Sequence, residues 1–319
     1  FSPIDHPLFV NFFINHWKPS LLLLIESEIW PHVIIKSFNK KIPLILLQGR
    51  MSKKSYKKWL LVNSLSQYLY KKFSLIVSQD LTNGNRYKTL GANNVMSGIN
   101  LKNGITANHM NYKEEEEIIA LTNKRPILLF ASIHDKIEDQ AAIASHIEAK
   151  KNNADLLTII VPRHTKMIKN LISLVDIYKL KTKIRSKKQE PDCNTEIYIA
   201  DTIGELGSFM KISDICFVGG SLSPKGGHNL IEPALEKCAI IYGPDVSNHA
   251  NTSEILLKEN AAIQINNINE LKTEICKLMD DKKEIKKMVD KAYNVINNIP
   301  DPSYILLNQI KPYLKAHGE

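Results

Sequence analysis

At 319 residues the chain is long enough for two domains with cores of their own, and with 44% hydrophobic and 24% charged residues its composition is that of an ordinary globular protein. No apolar run reaches the length that spans a bilayer, nothing at the N-terminus has the form of a signal peptide, and four scattered cysteines without a Cys-x-x-Cys pair speak for reduced thiols and against a metal centre. The net charge of +9 implies attraction to something acidic (nucleic acid, an anionic membrane or a phosphorylated substrate) and does not choose among them.

Short apolar runs alternate with longer amphipathic stretches. Strands are expected at Leu21–Ile25, Pro43–Leu47, Ser74–Val77, Pro126–Phe130, Leu157–Val161, Glu196–Ile199, Asp214–Val218 and Ala239–Tyr242. Helical patterns between them include Ser52–Tyr70, Ile137–Lys150, Lys166–Tyr178 and Asn248–Glu259. Strands spaced by helices imply a parallel α/β architecture, in which ligands bind beyond the carboxyl ends of the strands. Glu26, Arg163, Thr202 and Gly219 each follow a strand. The polar stretch Asn103 to Asn123 reads as an interdomain linker followed by a helix, dividing the chain into 1–104 and 105–319. Its run Glu114–Glu117 reads as a solvated helix face, and Ile184–Pro191 as an exposed loop. Glu270–Ile299 looks helical and polar, and a last helix follows Pro300 and Pro302.

The most informative segment runs from Phe217 to Pro233. A buried strand stops at Gly219-Gly220-Ser221, a second glycine pair follows at Gly226-Gly227, and His228-Asn229 opens a helix with Glu232 on its first turn. Glycines at a strand-to-helix turn let backbone approach a ligand, and the N–H groups of the following helix favour an anion such as a phosphate. A carboxylate three residues after Asn229 can accept hydrogen bonds from sugar hydroxyls. Together these point to a nucleotide-sugar site. An N-capped helix behind a glycine turn is the plainer reading, and accounts for one glycine pair more easily than for two.

Other constellations stand beside it. Glu26 and Glu28 follow a strand directly and project to the same side if the chain stays extended. Arg163 after a strand is a natural phosphate ligand, because a guanidinium can bind two phosphate oxygens at once. Thr202 with Glu205 reads as a capping box. Lys53, Lys54, Lys57 and Lys58 with Trp59, Tyr68 and Tyr70 suit a membrane interface; the same stretch also reads as a helix with a core stripe of Leu60, Leu61, Leu65 and Leu69 and a solvated lysine face. No dedicated nucleic-acid motif is present, and no nucleic-acid partner is expected.

The glycine-rich segment resembles the signature of the Kdo transferases (3-deoxy-D-manno-octulosonic acid transferases) of lipopolysaccharide synthesis. Glu26-Ser27-Glu28-Ile29-Trp30-Pro31, Gly49-Arg50-Met51-Ser52, Gly98-Ile99-Asn100-Leu101-Lys102, Ala131-Ser132-Ile133-His134, Val161-Pro162-Arg163-His164 and Asp201-Thr202-Ile203-Gly204-Glu205-Leu206 resemble further family motifs in the same order, across about residues 3–265. The third carries one inserted residue.

The resemblance implies two Rossmann-like domains with parallel sheets, the GT-B glycosyltransferase fold, with the last helix, Tyr304 to Lys315, packing back on the first domain. It implies inverting, metal-independent transfer of Kdo from CMP-Kdo to a lipid A precursor, with no cofactor. By the same resemblance Glu26 or Glu28 stabilises the reacting centre, Lys102 acts near the transition state, and the nucleotide is bound by Pro162, Arg163, Ile203, Gly204, Glu205, Gly219, Gly220, Ser221, Gly226, Gly227, His228, Asn229 and Glu232. The acceptor implies an anionic inner-membrane surface as a partner and the cytoplasmic face of that membrane as location, peripheral or anchored. Family members carry a further N-terminal segment with a membrane anchor and a Gly-Glu motif bearing the general base. No residues here match that motif, so the first domain is expected to be incomplete. A GT-B enzyme using a UDP-sugar, and a nucleotide-binding remnant without catalysis, stay open as alternatives.

Overall fold

The computed structural model describes residues 3–98, 101, 112–122, 125–164, 168–299 and 302–315. The chain divides into two units: Phe1–Ile105 with Pro300–Glu319, and Thr106–Ile299.

The first unit opens with α1 (Pro7–Trp17) and builds a four-stranded parallel sheet of β1 (Leu22–Ile25), β2 (Leu44–Gly49), β3 (Leu75–Ser78) and β4 (Val95–Ser97), in that order. Helices α2 (Pro31–Asn39), α3 (Lys53–Leu61), α4 (Asn63–Tyr70) and α5 (Leu81–Thr89) connect them. Every position of β2 is buried, as a strand covered on both faces requires. Leu44 and Leu46 face a cluster with Ile34, Leu69, Tyr70 and Tyr87, while Ile45 and Leu47 face Leu75 and Val77 on the other side.

The continuous helix expected over 52–70 is two helices. Val62, at φ −113° and ψ 46°, lies outside the helical region and ends α3. The core stripe is also corrected: only Leu69 is buried, while Leu60, Leu61 and Leu65 are exposed, Leu61 at 86%.

The second unit is a seven-stranded parallel sheet, in the order β11-β10-β9-β5-β6-β8-β7. The strands are β5 (Ile127–Ile133), β6 (Leu157–Pro162), β7 (Thr182–Ile184), β8 (Ile197–Ile199), β9 (Ile215–Val218), β10 (Ala239–Tyr242) and β11 (Ile263–Gln264). Ahead of them comes α6 (Tyr112–Thr122), and α7 (Lys136–Lys150), α8 (Ile168–Ile177), α9 (Leu206–Lys211), α10 (Ile231–Leu235), α11 (Ala250–Lys258), α12 (Ile268–Asp280) and α13 (Lys282–Asn297) cover the sheet. Along β5, Ile127, Leu129 and Ala131 pack into one core and Leu128 and Phe130 into the other, the period-two alternation of a strand. The register shifts between Ala131 and Ile133, where Ser132 sits at φ +55°. This bulge moves Ile133 to the opposite core and re-aims the chain that follows.

The last helix, α14 (Pro302–Lys315), belongs to the first unit. Its Leu306 and Ile310 pack on Ile45, Leu47, Leu75 and Val77, and the Tyr313 hydroxyl donates to the Ser74 carbonyl at 3.1 Å.

Two surface readings are corrected in part. Glu115 is buried, accepting from the Ser208 hydroxyl at 2.7 Å and pairing with Lys211, so the run of glutamates is not wholly solvated. The stretch 184–191 is exposed at 186–189, as expected of a loop, but is held down at both ends. Ile184 is buried at the end of β7, and the Arg185 side chain, only 12% exposed, reaches Glu190 at 2.6 Å, Glu205 at 2.8 Å and Glu114 at 3.4 Å.

Candidate functional site

Strand order fixes where a ligand can enter the second unit. From β5 the chain moves to β6 on one side, and later returns to β9 on the other, so the order reverses between β5 and β9. Crevices beyond the carboxyl ends of strands at such a point are where open α/β sheets bind ligands. Ser132 lies at the end of β5 and His134 just beyond it, and Gly219 and Gly220 follow β9. A Cβ on Gly219 would lie 2.6 Å from the Ser132 carbonyl oxygen and 2.7 Å from that of Ala131, so only glycine fits. Gly220 is left-handed at φ +68°, as are Gly226 at +88° and Gly227 at +69°.

The glycine turn is closed around an internal anion. Glu138, wholly buried in the first turn of α7, accepts from the backbone N–H groups of His134 at 2.8 Å, Gly220 at 2.9 Å, Ser221 at 3.0 Å and Leu222 at 3.2 Å. Asp135, the N-cap of α7, accepts from the Ile137 and Glu138 N–H groups and from the Ser223 hydroxyl. At Gly220 and Ser221 the backbone N–H groups of the loop thus face a carboxylate of the protein. Ser221 is likewise a structural residue. It is buried, its hydroxyl donates to the Val218 carbonyl, and it accepts from the Gly243 N–H at 2.8 Å. The spacing Asp135-x-x-Glu138 is a capping-box signature that sequence reading could have singled out. Its reach across 82 residues to Gly220 has no local signal.

Imidazoles and cations line the same end of the sheet. His134 Nε2 and His228 Nε2 are 2.7 Å apart. Burial lowers the His134 pKa; Glu138 acts against this, and His164, Arg163 and Lys225 act with it. Burial, then His134, Arg163, His249 and His164, push His228 down to about 4. Pro162 pairs with Ile133 at the end of β6, and the Arg163 N–H donates to the Ile133 carbonyl at 2.9 Å, leaving the Arg163 side chain exposed. Asn229 and Glu232 are side by side but not on one helix face, because Asn229 precedes the helix. The Asn229 amide donates to Glu232 at 3.1 Å while its oxygen accepts from the Ile231 N–H at 3.0 Å. Burial raises the Glu232 carboxyl pKa, partly offset by Asn229. The helix itself begins only at Ile231.

The loop after β8 presents Ile203, 93% exposed, and Gly204 at φ +94°. The expected capping box is not formed. Thr202 donates to the Glu205 carboxylate, and Glu205, at the N-cap of α9, makes no side-chain cap. Its carboxylate instead takes Arg185 Nη2 at 2.8 Å and Nε at 3.3 Å. Among the described residues, no three His, Cys, Asp or Glu side chains converge as a metal site.

In the first unit Glu26 follows β1 but not in extended form. At φ +61° it turns the chain, its N–H donating to the Leu47 carbonyl at 2.8 Å and its carbonyl accepting from the Arg50 N–H at 3.3 Å. The condition for Glu26 and Glu28 to project to the same side, an extended chain, is therefore not met at Glu26. Glu28 accepts from the Trp30 indole. Lys102, Ile99 and Asn100 lie outside the described residues.

Comparison with known proteins identifies this frame. Residues 1–105 match the family model for 3-deoxy-D-manno-octulosonic-acid transferase (kdotransferase). The 3-deoxy-D-manno-octulosonic acid transferase of Haemophilus influenzae is 30% identical over 321 residues, covering 99% of this chain and 75% of the relative. The chain belongs to the Kdo transferase family. The Rickettsia prowazekii member is 34% identical over 287 residues, which cover 90% of this chain but 61% of that protein, so the chain spans less than two thirds of that relative's length. Among solved structures, the C-terminal CMP-Kdo binding domain of WaaA from Acinetobacter baumannii is 26% identical, with a TM-score of 0.54, over 58% of this chain and 96% of that domain. The fold is that of the GT-B glycosyltransferases, two Rossmann-like units with parallel sheets.

Proposed function

We propose that this chain acts in lipopolysaccharide synthesis as a Kdo transferase, moving Kdo from CMP-Kdo to a lipid A precursor with inversion and without a metal. The likeness to a CMP-Kdo binding domain carries this reading. The second unit supports it by gathering Arg163, His134, His228, Asn229 and Glu232 at the ends of β5, β6 and β9. Arg163 suits the single phosphate of the donor, and such fixed cations stabilise a departing nucleotide monophosphate. Glu232 suits the ribose hydroxyls, and Ile203-Gly204 the base. Family membership favours CMP-Kdo over a UDP-sugar.

We also propose that the first unit meets the anionic cytoplasmic face of the inner membrane. Exposed Leu60, Leu61, Leu65 and Tyr68 adjoin the exposed lysines of α3, and α1 exposes Leu8, Phe9, Phe12 and Trp17. Apolar and aromatic side chains beside lysines suit a lipid headgroup region. No described helix is long and apolar enough to cross a membrane.

The test is titration calorimetry with CMP, with UMP as control, repeated on Arg163→Ala and Glu232→Ala and with EDTA present. Binding that prefers CMP, survives EDTA and weakens in both variants is expected. Binding indifferent to both residues, or lacking a preference for CMP, would overturn the assignment.

A further inference from the structure

The histidine pair at the switch point has a geometry with chemical consequences. The two ring planes are 17° from parallel and their centroids 4.8 Å apart, yet the Nε2 atoms approach to 2.7 Å. The nitrogens are thus the nearest atoms, and the contact is an edge-to-edge N–H···N hydrogen bond rather than a face-to-face stack. Such a bond needs one Nε2 protonated and the other bare. The accepting ring then carries its proton on Nδ1, and the donating ring keeps a bare Nδ1. One further proton can enter there, leaving an imidazolium hydrogen-bonded to a neutral imidazole. A second would set two cations nitrogen to nitrogen.

The groups facing the pair hold that further proton off. Arg163, Lys225 and His164 act against charge on His134, and Arg163, His164 and His249 against charge on His228; Glu138 alone acts in favour, on His134. Burial is the largest influence on both rings and disfavours charge on each, outweighing Glu138 at His134. Burial and these cations therefore both disfavour a further proton on the pair in the free protein. Both rings are only partly buried and lie against Gly220, whose Cβ, were there one, would be 3.1 Å from His134 and 3.3 Å from His228.

We propose that the His134–His228 pair is an anion-binding element of this site, which takes up one proton when the phosphate of a nucleoside monophosphate enters. The proposal rests on the reading of this crevice as the donor site. An anion beside the pair reverses the local balance of charge, favouring the singly charged pair, whose N–H groups then donate to it. Since Glu138 fills the glycine turn, these rings supply what the turn's N–H groups at Gly220 and Ser221 do not. Linkage makes the effect reciprocal: each unit by which a ligand raises the pair's pKa is a tenfold preference of that ligand for the protonated form. The two rings titrate as one coupled system.

The experiment is an NMR pH titration of the imidazole nitrogens in the whole chain, with and without saturating CMP. His134→Asn and His228→Asn serve to assign the signals, and calorimetry on the same samples reports CMP binding. A rise of at least one unit in the pair's apparent pKa on adding CMP is expected. So is a CMP affinity that falls as pH rises through that new value, a fall absent from His228→Asn. CMP binding with the pair's titration unchanged would overturn the proposal and leave the donor-site reading standing. Failure of CMP to bind would overturn both.

Discussion

Replacing Glu138 by glutamine separates a packing role from an electrostatic one. The two side chains are nearly isosteric, so a residue that only fills space would tolerate the change. The hydrogen bonds predict otherwise. Oε1 accepts from Ser221 and Leu222, and Oε2 from His134 and Gly220. All four partners are N–H donors, and an amide offers only one oxygen. Whichever way it turns, its NH2 group faces two N–H groups. Leaving a buried donor unsatisfied costs about 1–3 kcal/mol. With the Gly220 and Ser221 bonds fully buried and one of them lost in either orientation, together with a second, less buried bond, Glu138→Gln is expected to destabilise the second unit by about 2–4 kcal/mol. Glu138→Ala, which loses all four, is expected to cost at least as much.

Urea unfolding followed by far-ultraviolet circular dichroism measures this loss, and tryptophan fluorescence provides an internal reference. Trp17, Trp30 and Trp59 all lie in the first unit, so fluorescence follows that unit alone. A lowered midpoint in the dichroism transition is the expected result. A Glu138→Gln variant within about 0.5 kcal/mol of the parent, the scatter of ordinary surface substitutions, would refute the argument that an acceptor-only group is required.

Two further predictions concern the second unit. Arg185→Met leaves Glu205 and Glu190 with one cation fewer in a largely buried setting and is expected to cost about 3 kcal/mol in urea unfolding; Arg185→Lys should recover only part, since an ammonium cannot bridge several carboxylates as a guanidinium does. On α7, Asp139 and His146 oppose each other in pH dependence. Burial, with Asp135 and Glu138 nearby, raises Asp139 to about 6, so its contribution is fully present below pH 4 and is lost as pH rises through 6. Burial pushes His146 down to about 4, so its contribution is present above pH 6.5 and is lost as pH falls through 4. Each shift is worth at most about 3 kcal/mol at 1.36 kcal/mol per unit, so the two nearly cancel between pH 4 and 6.5. Asp139→Asn should therefore unfold more steeply on acidification than the parent, measured as urea midpoints across that range.

Burial patterns were legible in the sequence where local periodicity governs. The buried strands β2, β5, β6, β9 and β10 have runs of apolar residues long enough to stand out. The strands β4, β7 and β11 do not, because each is two or three residues long and lies at a sheet edge, where neighbours rather than composition decide pairing. The failed core stripe of Leu60, Leu61 and Leu65 has the same origin. Helical periodicity identifies an apolar face but not what covers it, and the break at Val62 interrupts that periodicity between α3 and α4.

The site divides along a different line. Glycines at 219 and 220 are readable because a backbone that must pass within 2.6 Å of a carbonyl, or turn left-handed, admits few other residues. What those glycines enclose is not readable, since Glu138 and Gly220 are joined by topology alone. A glycine-rich turn after a parallel strand invites the inference that its N–H groups await a phosphate. The inference fails here because N–H groups buried at a strand end require an acceptor in the folded protein whether or not a ligand is bound. The chain meets that requirement internally with Glu138. In the proposed donor site, ligand charge would then be met by groups that water can satisfy in the free protein, as it can at exposed Arg163 and partly exposed His134 and His228. The division follows from the cost of burial: N–H groups that are buried at all times are matched to a permanent carboxylate, while Arg163, His134 and His228 stand where water reaches them.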